Sequence, residues 1–194
     1  MALVTESQVR SAAGRARAAL NESSTVVLKK SMASVSSTSR FDIFLSHSIN
    51  DAEIVLGAKR LLEEAGKTVY VDWIEDPNLD RSNVTPATAG LLRTRMKQSD
   101  ALFYLHSAQS QNSKWMPWEL GFFDGHNGNV AIFPVIAPGA SSFKGVEYLG
   151  LYPYVDLSQV QGTTRQEPFI HRKFDEYQNF GAWKSAADKL RPQA

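Results

Sequence analysis

From Phe41 onward the chain alternates short apolar runs with amphipathic stretches. Phe41–His47, reading Phe-Asp-Ile-Phe-Leu-Ser-His, has the form of a strand that ends in small polar side chains. Asp51–Ala65 carries Ile54, Val55, Ala58, Leu61 and Leu62 at helical spacing, and Gly66 follows as a C-terminal cap. The same alternation predicts strands at Thr68–Trp73, Ala101–Ser107, Val130–Ile136 and Tyr152–Leu157, with helices near 87–98 and 113–125. A polar loop, Ile74–Pro86, follows the second strand. Pro138–Gly150 reads as a loop with a helical turn, and Glu167–Leu190 as a broken terminal helix. Strands that are apolar on both faces and separated by helices predict an α/β fold whose parallel sheet is covered on both sides. Five strands in this length fit a flavodoxin-like five-stranded parallel sheet of order 2-1-3-4-5, with helices on both faces.

That strand order opens a crevice at the carboxyl ends of the first and third strands. Those ends carry Ser46-His47 and His106-Ser107, and the segment leaving the third strand leads straight to Trp115 and Glu119. The second strand ends in Asp72-Trp73.

Residues 1–40 have a different character. Leu3–Leu20 is rich in Ala and Arg, with apolar Val4, Val9, Ala12, Ala13, Ala16 and Leu20, and reads as a helix weakened by Gly14, on which Val4, Val9, Ala13, Ala16 and Leu20 form a narrow apolar stripe. Asn21–Arg40 is Ser-rich and reads mostly as linker, with Thr25–Leu28 as a short strand or helical turn. The division expected is a 1–40 assembly arm and a 41–194 domain. A stripe that narrow does not stabilise a lone helix, so a partner surface is expected on a sister subunit. An Arg- and Ser-rich start also resembles an organellar transit peptide, against which Glu6 and Glu22 stand.

Composition narrows the function classes. With 194 residues and 43% hydrophobic content, the chain builds one good core. A net charge of +1 supplies no global basic field, so no nucleic-acid partner is expected. Zero Cys excludes a disulfide framework, a thiolate metal site and a cysteine nucleophile. No apolar run approaches the roughly 18 residues of a membrane span, and the start lacks the order of a secretory signal. The expectation is a soluble, cytoplasmic protein with no membrane contact.

The familiar cofactor signatures are missing. Ser46-His47-Ser48-Ile49-Asn50-Asp51 follows the first strand without the glycines of a dinucleotide fingerprint. There is no P-loop pattern and no Gly-x-Ser-x-Gly elbow. His47, His106, His126 and His171 show no short metal-ligand spacing, so no metal site is expected.

What remains is one carboxylate, Glu119, among aromatic residues. Such a site suits cleavage of an N-glycosidic bond, where a carboxylate stabilises an oxocarbenium-like sugar. A leaving group that departs neutral needs no protonation, so one Glu suffices, and Trp115 and Trp118 offer flat faces for a ring. The structural alternative is equally concrete. Glu is common in a first helical turn because the macrodipole favours it, and Pro117 belongs there too. Trp115, Trp118, Phe122 and Phe123 would then fill the core, and Ser46 and His47 would form a cap and a satisfied polar pair.

Taken together, Phe41–His47, Val71-Asp72-Trp73 with its polar loop, Ser113-x-Trp115-x-x-x-Glu119-Leu120 and Phe133-Pro134-Val135 resemble the motifs of a TIR (Toll/interleukin-1 receptor) domain. The resemblance covers roughly residues 40–190 and is closest to the bacterial NAD-cleaving type of Thoeris antiphage systems. It implies an NAD+ nucleosidase or ADP-ribosyl cyclase that releases nicotinamide and an ADP-ribose-derived immune signal. On that basis Glu119 is catalytic and Trp115 shapes the pocket and the product. Ser46 and His47 line the floor, and Asp72, Trp73, Arg81 and Ser82 cover the nucleotide. NAD+ is then substrate and not a recycled cofactor. The partners implied are further copies of the chain through TIR contacts and a downstream effector that senses the product. Met116 stands where Cys is common, Pro117 stiffens the helix start, and Ile74–Pro86 lacks the usual glycine. Two other readings stay open: a non-catalytic TIR adaptor, and an enzyme like the nucleoside deoxyribosyltransferases, which have a related architecture and their own catalytic Glu.

Overall fold

The computed structural model describes residues 3–33, 35–73, 85–140, 143, 147–173 and 175–186. In chain order the elements are β1 (Val4–Thr5), α1 (Glu6–Leu20), α2 (Ser24–Ala33), β2 (Phe41–Ser46), α3 (Ala52–Glu64), β3 (Val69–Val71), α4 (Pro86–Lys97) and β4 (Ser99–His106). They continue with α5 (Trp115–His126), β5 (Val130–Ile136), β6 (Tyr154–Gln159), β7 (Gln166–His171), β8 (Tyr177–Asn179) and α6 (Phe180–Ser185).

The five expected strands are β2 to β6. They pair in parallel in the order β3-β2-β4-β5-β6, which is the 2-1-3-4-5 sheet. Side chains alternate across it. Ile43, Leu45, Val71, Phe103 and Phe133 share one core layer with α3, whereas Phe44, Tyr70, Leu102, Tyr104 and Ile132 share another with α5. The alternation carries forward to the strand ends, so Ser46 continues the face of Phe44.

Two regions depart from the sequence reading. The broken helix expected over residues 167–190 is instead an antiparallel extension of the sheet, β6-β7-β8, followed by the short α6. Pro168 weighs against helix there, since it has no N–H to donate and would clash with the preceding turn. It sits beyond the last β7–β8 pair, Phe169↔Asn179, where a strand tolerates it.

The second departure is the N-terminal segment. The stripe of α1 finds its partner on its own chain: Val9, Ala12 and Ala13 are buried, and α1 packs on α3. At Gly57 a Cβ atom would lie 2.0 Å from the Val9 carbonyl oxygen, so the two backbones touch there. A Thr5–Gln8 capping box starts α1, and β1 pairs in parallel with Val135 and Ile136 of β5. The Ser-rich stretch expected as linker contains α2, whose Val27 and Leu28 join the same core layer as Ile43 and Leu45. α2 packs beside β3, the terminal strand, shielding an edge whose backbone groups would otherwise invite another chain. Between α2 and β2 the chain is anchored by Arg95 of α4, which donates to the Ser36 carbonyl at 2.6 Å. Residue 40 is therefore no boundary of packing.

Candidate active site

Ser46 is the last residue of β2, at the carboxyl end of the sheet's central region. Above it lies α5, whose start is stabilised by the Ser113 hydroxyl accepting from the Met116 N–H at 3.3 Å. Glu119 is the fifth residue of that helix. It lies past the first turn, and its side chain is only 1% exposed. The capping explanation for a Glu here thus loses its basis, because the helix end is a turn away and no solvent faces the group. Ser46, itself 0% exposed, donates its hydroxyl to Glu119 Oε2 at 2.5 Å. This is a charge-assisted length, and it joins residues 73 positions apart in sequence.

The sheet register supplies the neighbours. Ser46 is opposite Tyr104 of β4, and one step past the Leu45↔Val71 pair stands Asp72. Asp72, Ser46 and Tyr104 thus form a row across three parallel strands, with Glu119 over the middle member. Asp72 and Tyr104 are buried. Burial, the neighbouring Tyr148 hydroxyl and the charge of Glu119 push the Tyr104 phenol well above its usual range, so it remains a neutral hydroxyl at any physiological pH.

One residue further along each strand, His47 and Trp73 stack, with ring centroids 5.6 Å apart and planes at 16°. His47 Nδ1 lies 2.8 Å from the Leu45 carbonyl, an acceptor, which makes Nδ1 a protonated nitrogen of the ring. Trp115 precedes Glu119 by one helical turn, on the same side of α5, and is buried beside Trp118 in an edge-to-face contact of 5.5 Å. Trp118 itself faces away, stacked on Phe122 and under the guanidinium of Arg93.

Of the residues expected at the site, the fold brings together Ser46, His47, Asp72, Trp73, Trp115 and Glu119. Arg81 and Ser82 lie outside the described residues. His106 is engaged elsewhere. Its ring packs edge-on against Phe143 at 4.6 Å, and burial lowers its pKa from the ordinary 6.5. Ser107 donates to Asp51, tying the turn after β4 to the turn after β2. Tyr104 is the neighbour that the sequence did not single out. In Ala101–Ser107 it reads as one more apolar strand position, and only the register sets it beside Ser46.

Among the described residues no group of three or more His, Asp or Glu is placed to hold a metal ion, and no helix is long and apolar enough to cross a membrane.

Comparison with known proteins agrees with this geometry. The family model described as TIR domain matches residues 43–170. The chain is 45% identical over 164 residues to a Bacillus cereus (strain MSX-D12) protein named as a probable 3′ cyclic ADP-D-ribose synthase, ThsB′, covering 84% of this chain and 85% of that one. It is 28% identical over 83 residues to a Cytobacillus dafuensis protein carrying the name cyclic ADP-D-ribose synthase TIR2, covering 42% of this chain and 22% of that one. The chain with the Ser46–Glu119 crevice belongs to the TIR domain family.

Proposed function

We propose that this protein is an NAD+ nucleosidase and ADP-ribosyl cyclase, with Glu119 as its catalytic residue. The observation that carries the reading is the buried Ser46–Glu119 hydrogen bond of 2.5 Å at the carboxyl ends of the parallel strands. The name of the Bacillus cereus relative, matched over 85% of its length, supports the same activity.

The bond between ribose C1′ and the nicotinamide nitrogen breaks, and its electron pair returns to the ring. The pyridinium becomes neutral nicotinamide and leaves without a proton donor. The sugar carries the positive charge, which the Glu119 carboxylate faces and stabilises. Ser46 holds that carboxylate in one orientation through its 2.5 Å hydrogen bond. Capture by water gives linear ADP-ribose, and capture by a hydroxyl or ring nitrogen of the same nucleotide gives a cyclic product. Either hydroxyl nucleophile loses a proton, and Glu119 is positioned to accept it. Trp115 forms the aromatic wall, His47 and Trp73 the floor, and Asp72 takes ribose hydroxyls. Arg81 and Ser82, which follow Trp73 in the sequence, are proposed as further contacts to the nucleotide.

NAD+ is consumed as substrate, so the reaction needs no recycled cofactor. The nucleotide product acts as an immune signal in antiphage defence, read by a downstream effector, and TIR–TIR self-association completes the site. Incubating purified protein with NAD+ and separating products by chromatography tests the reading. Nicotinamide together with a nucleotide isomer of ADP-ribose is the expected result. NAD+ left intact by an assembled protein would favour the adaptor. Base release from a deoxynucleoside would favour the deoxyribosyltransferase.

A further inference from the structure

A chamber of about 180 Å³ opens beside the row of site residues, at the edge of the sheet where β3 ends. Tyr70, Asp72 and Trp73 form its sheet side, Lys29 and Met32 of α2 its roof, and Arg95 of α4 its flank. It is smaller than the roughly 300 Å³ of an ordinary small-molecule site, so it fits part of a larger ligand.

Its charge is distinctive. Lys29 takes part in none of the ion pairs found among the described residues, and it is half-buried. Arg95 donates through Nη1 to Ser36 and Gln98 and lies over the Tyr70 ring, but its Nε is buried without a hydrogen-bond partner among the described residues. Among the described residues that line the chamber, two cations face the single carboxylate of Asp72. A buried N–H donor without an acceptor is costly unless something fills the position.

The sheet acts as a ruler for what that is. Glu119 lies over Ser46 on β2, Asp72 is one strand away, Arg95 lies over the Tyr70 ring of that edge strand, and Lys29 of α2 lines the same chamber. Strand spacings are about 4.8 Å. In NAD+ a ribose and its C5′ carbon separate the glycosidic carbon from the diphosphate, a span of that order. We propose that Lys29 and Arg95 hold the diphosphate of the substrate, so that α2, which lies outside the segment matched by the family model, supplies part of the binding site. This rests on the NAD+ reading of the crevice. It also gives residues 1–40 a role beyond the assembly arm expected from the sequence.

Lys29→Met is the variant to make, because it breaks no ion pair among the described residues, and Lys29→Arg is its conservative control. The expected result with NAD+ is a KM raised about tenfold with kcat changed less than about twofold, restored by Lys29→Arg. Cleavage of nicotinamide riboside, which has no phosphate, stays at the wild-type rate. An unchanged KM for NAD+, or an equal loss with nicotinamide riboside, overturns the assignment. Calorimetric titration with inorganic pyrophosphate separates the anion site from the chemistry. If no variant releases nicotinamide, the enzymatic reading fails, while pyrophosphate binding that weakens in Lys29→Met still upholds the chamber as an anion site. No pyrophosphate binding by the wild type overturns it.

Discussion

Ser46 Oγ donates to Glu119 Oε2 at 2.5 Å, with both side chains shut away from solvent. A carboxylate in that position is held by a defined donor, which restricts the direction its charge faces. Glu119→Gln keeps the shape and the possibility of a hydrogen bond while removing the charge. Nicotinamide release is expected to fall by a factor of about 10² to 10³ or more, with the far-ultraviolet dichroism unchanged. Wild-type release from a folded Glu119→Gln protein would dismiss the active-site assignment.

Trp115 is buried in the core layer with Tyr104 and Leu120, so Trp115→Ala would cost about 3–5 kcal/mol and confuse folding with chemistry. Trp115→Phe retains an aromatic plane with less area. Cyclisation needs the nucleotide folded against that wall, whereas hydrolysis does not. The ratio of linear to cyclic product, measured by chromatography, should rise in Trp115→Phe. An identical ratio removes Trp115 from product control.

Gly57 is where α1 and α3 meet backbone to backbone. An added methyl group would sit 2.0 Å from the Val9 carbonyl oxygen, so Gly57→Ala must push α1 away. Overpacking of this kind costs about 1–3 kcal/mol. A lower thermal midpoint and faster proteolysis within residues 1–40 are expected. Deleting residues 1–38 goes further, uncovering α3 and the β3 edge, and should give aggregation where a free-standing arm would leave a stable domain. A soluble truncated protein with the wild-type melting temperature would argue against integral packing of this segment.

The Ser46–Glu119 pair is shielded in the single chain, so on the proposed NAD+ reading the site is opened or completed before a dinucleotide enters. Association through TIR surfaces is the step proposed for this. Specific activity should rise with protein concentration, followed by a coupled nicotinamide assay alongside light scattering. A monomer whose specific activity is constant across the range would refute the requirement.

His106 gives the stability a defined acid dependence. Burial lowers its pKa, so the folded state favours the neutral ring. A depressed folded pKa means that the associated stability is fully present above the unfolded value of 6.5 and is lost as pH falls through the lower folded value. Asp42 is also depressed: burial opposes this, but hydrogen bonds from Thr68 and the charge of Lys184 prevail. Its contribution is lost only below its ordinary 3.8. The interval from about pH 6.5 down to about 5 therefore isolates the imidazole from this carboxylate. His106→Gln should show a smaller fall in melting temperature across that interval than the wild type. Equal falls would assign the acid sensitivity elsewhere.

Sequence by itself determined the parallel sheet and the chemistry at its crest. Five apolar strands separated by amphipathic helices admit few arrangements, and the favoured order brings Ser46, Asp72 and the Trp115–Glu119 helix to one end. These are local patterns, period two in strands and period 3.6 in helices, and local patterns are legible in a linear chain. Tertiary structure decided what depends on contacts between distant segments. Glu119 proved buried over Ser46, a pairing that spans 73 positions. Tyr104 entered the site through strand register, which no strand declares on its own. Gln166–His171 became a strand because β6 offered an edge to pair with, and Pro168 was the local sign against helix. The N-terminal stripe looked unpartnered because its partner, the face of α3 opened by Gly57, is formed by residues more than forty positions away. For the same reason Lys29, one of two adjacent lysines in a Ser-rich stretch, gave no sign of its place beside Asp72: that place exists only once α2 has packed against the edge of the sheet.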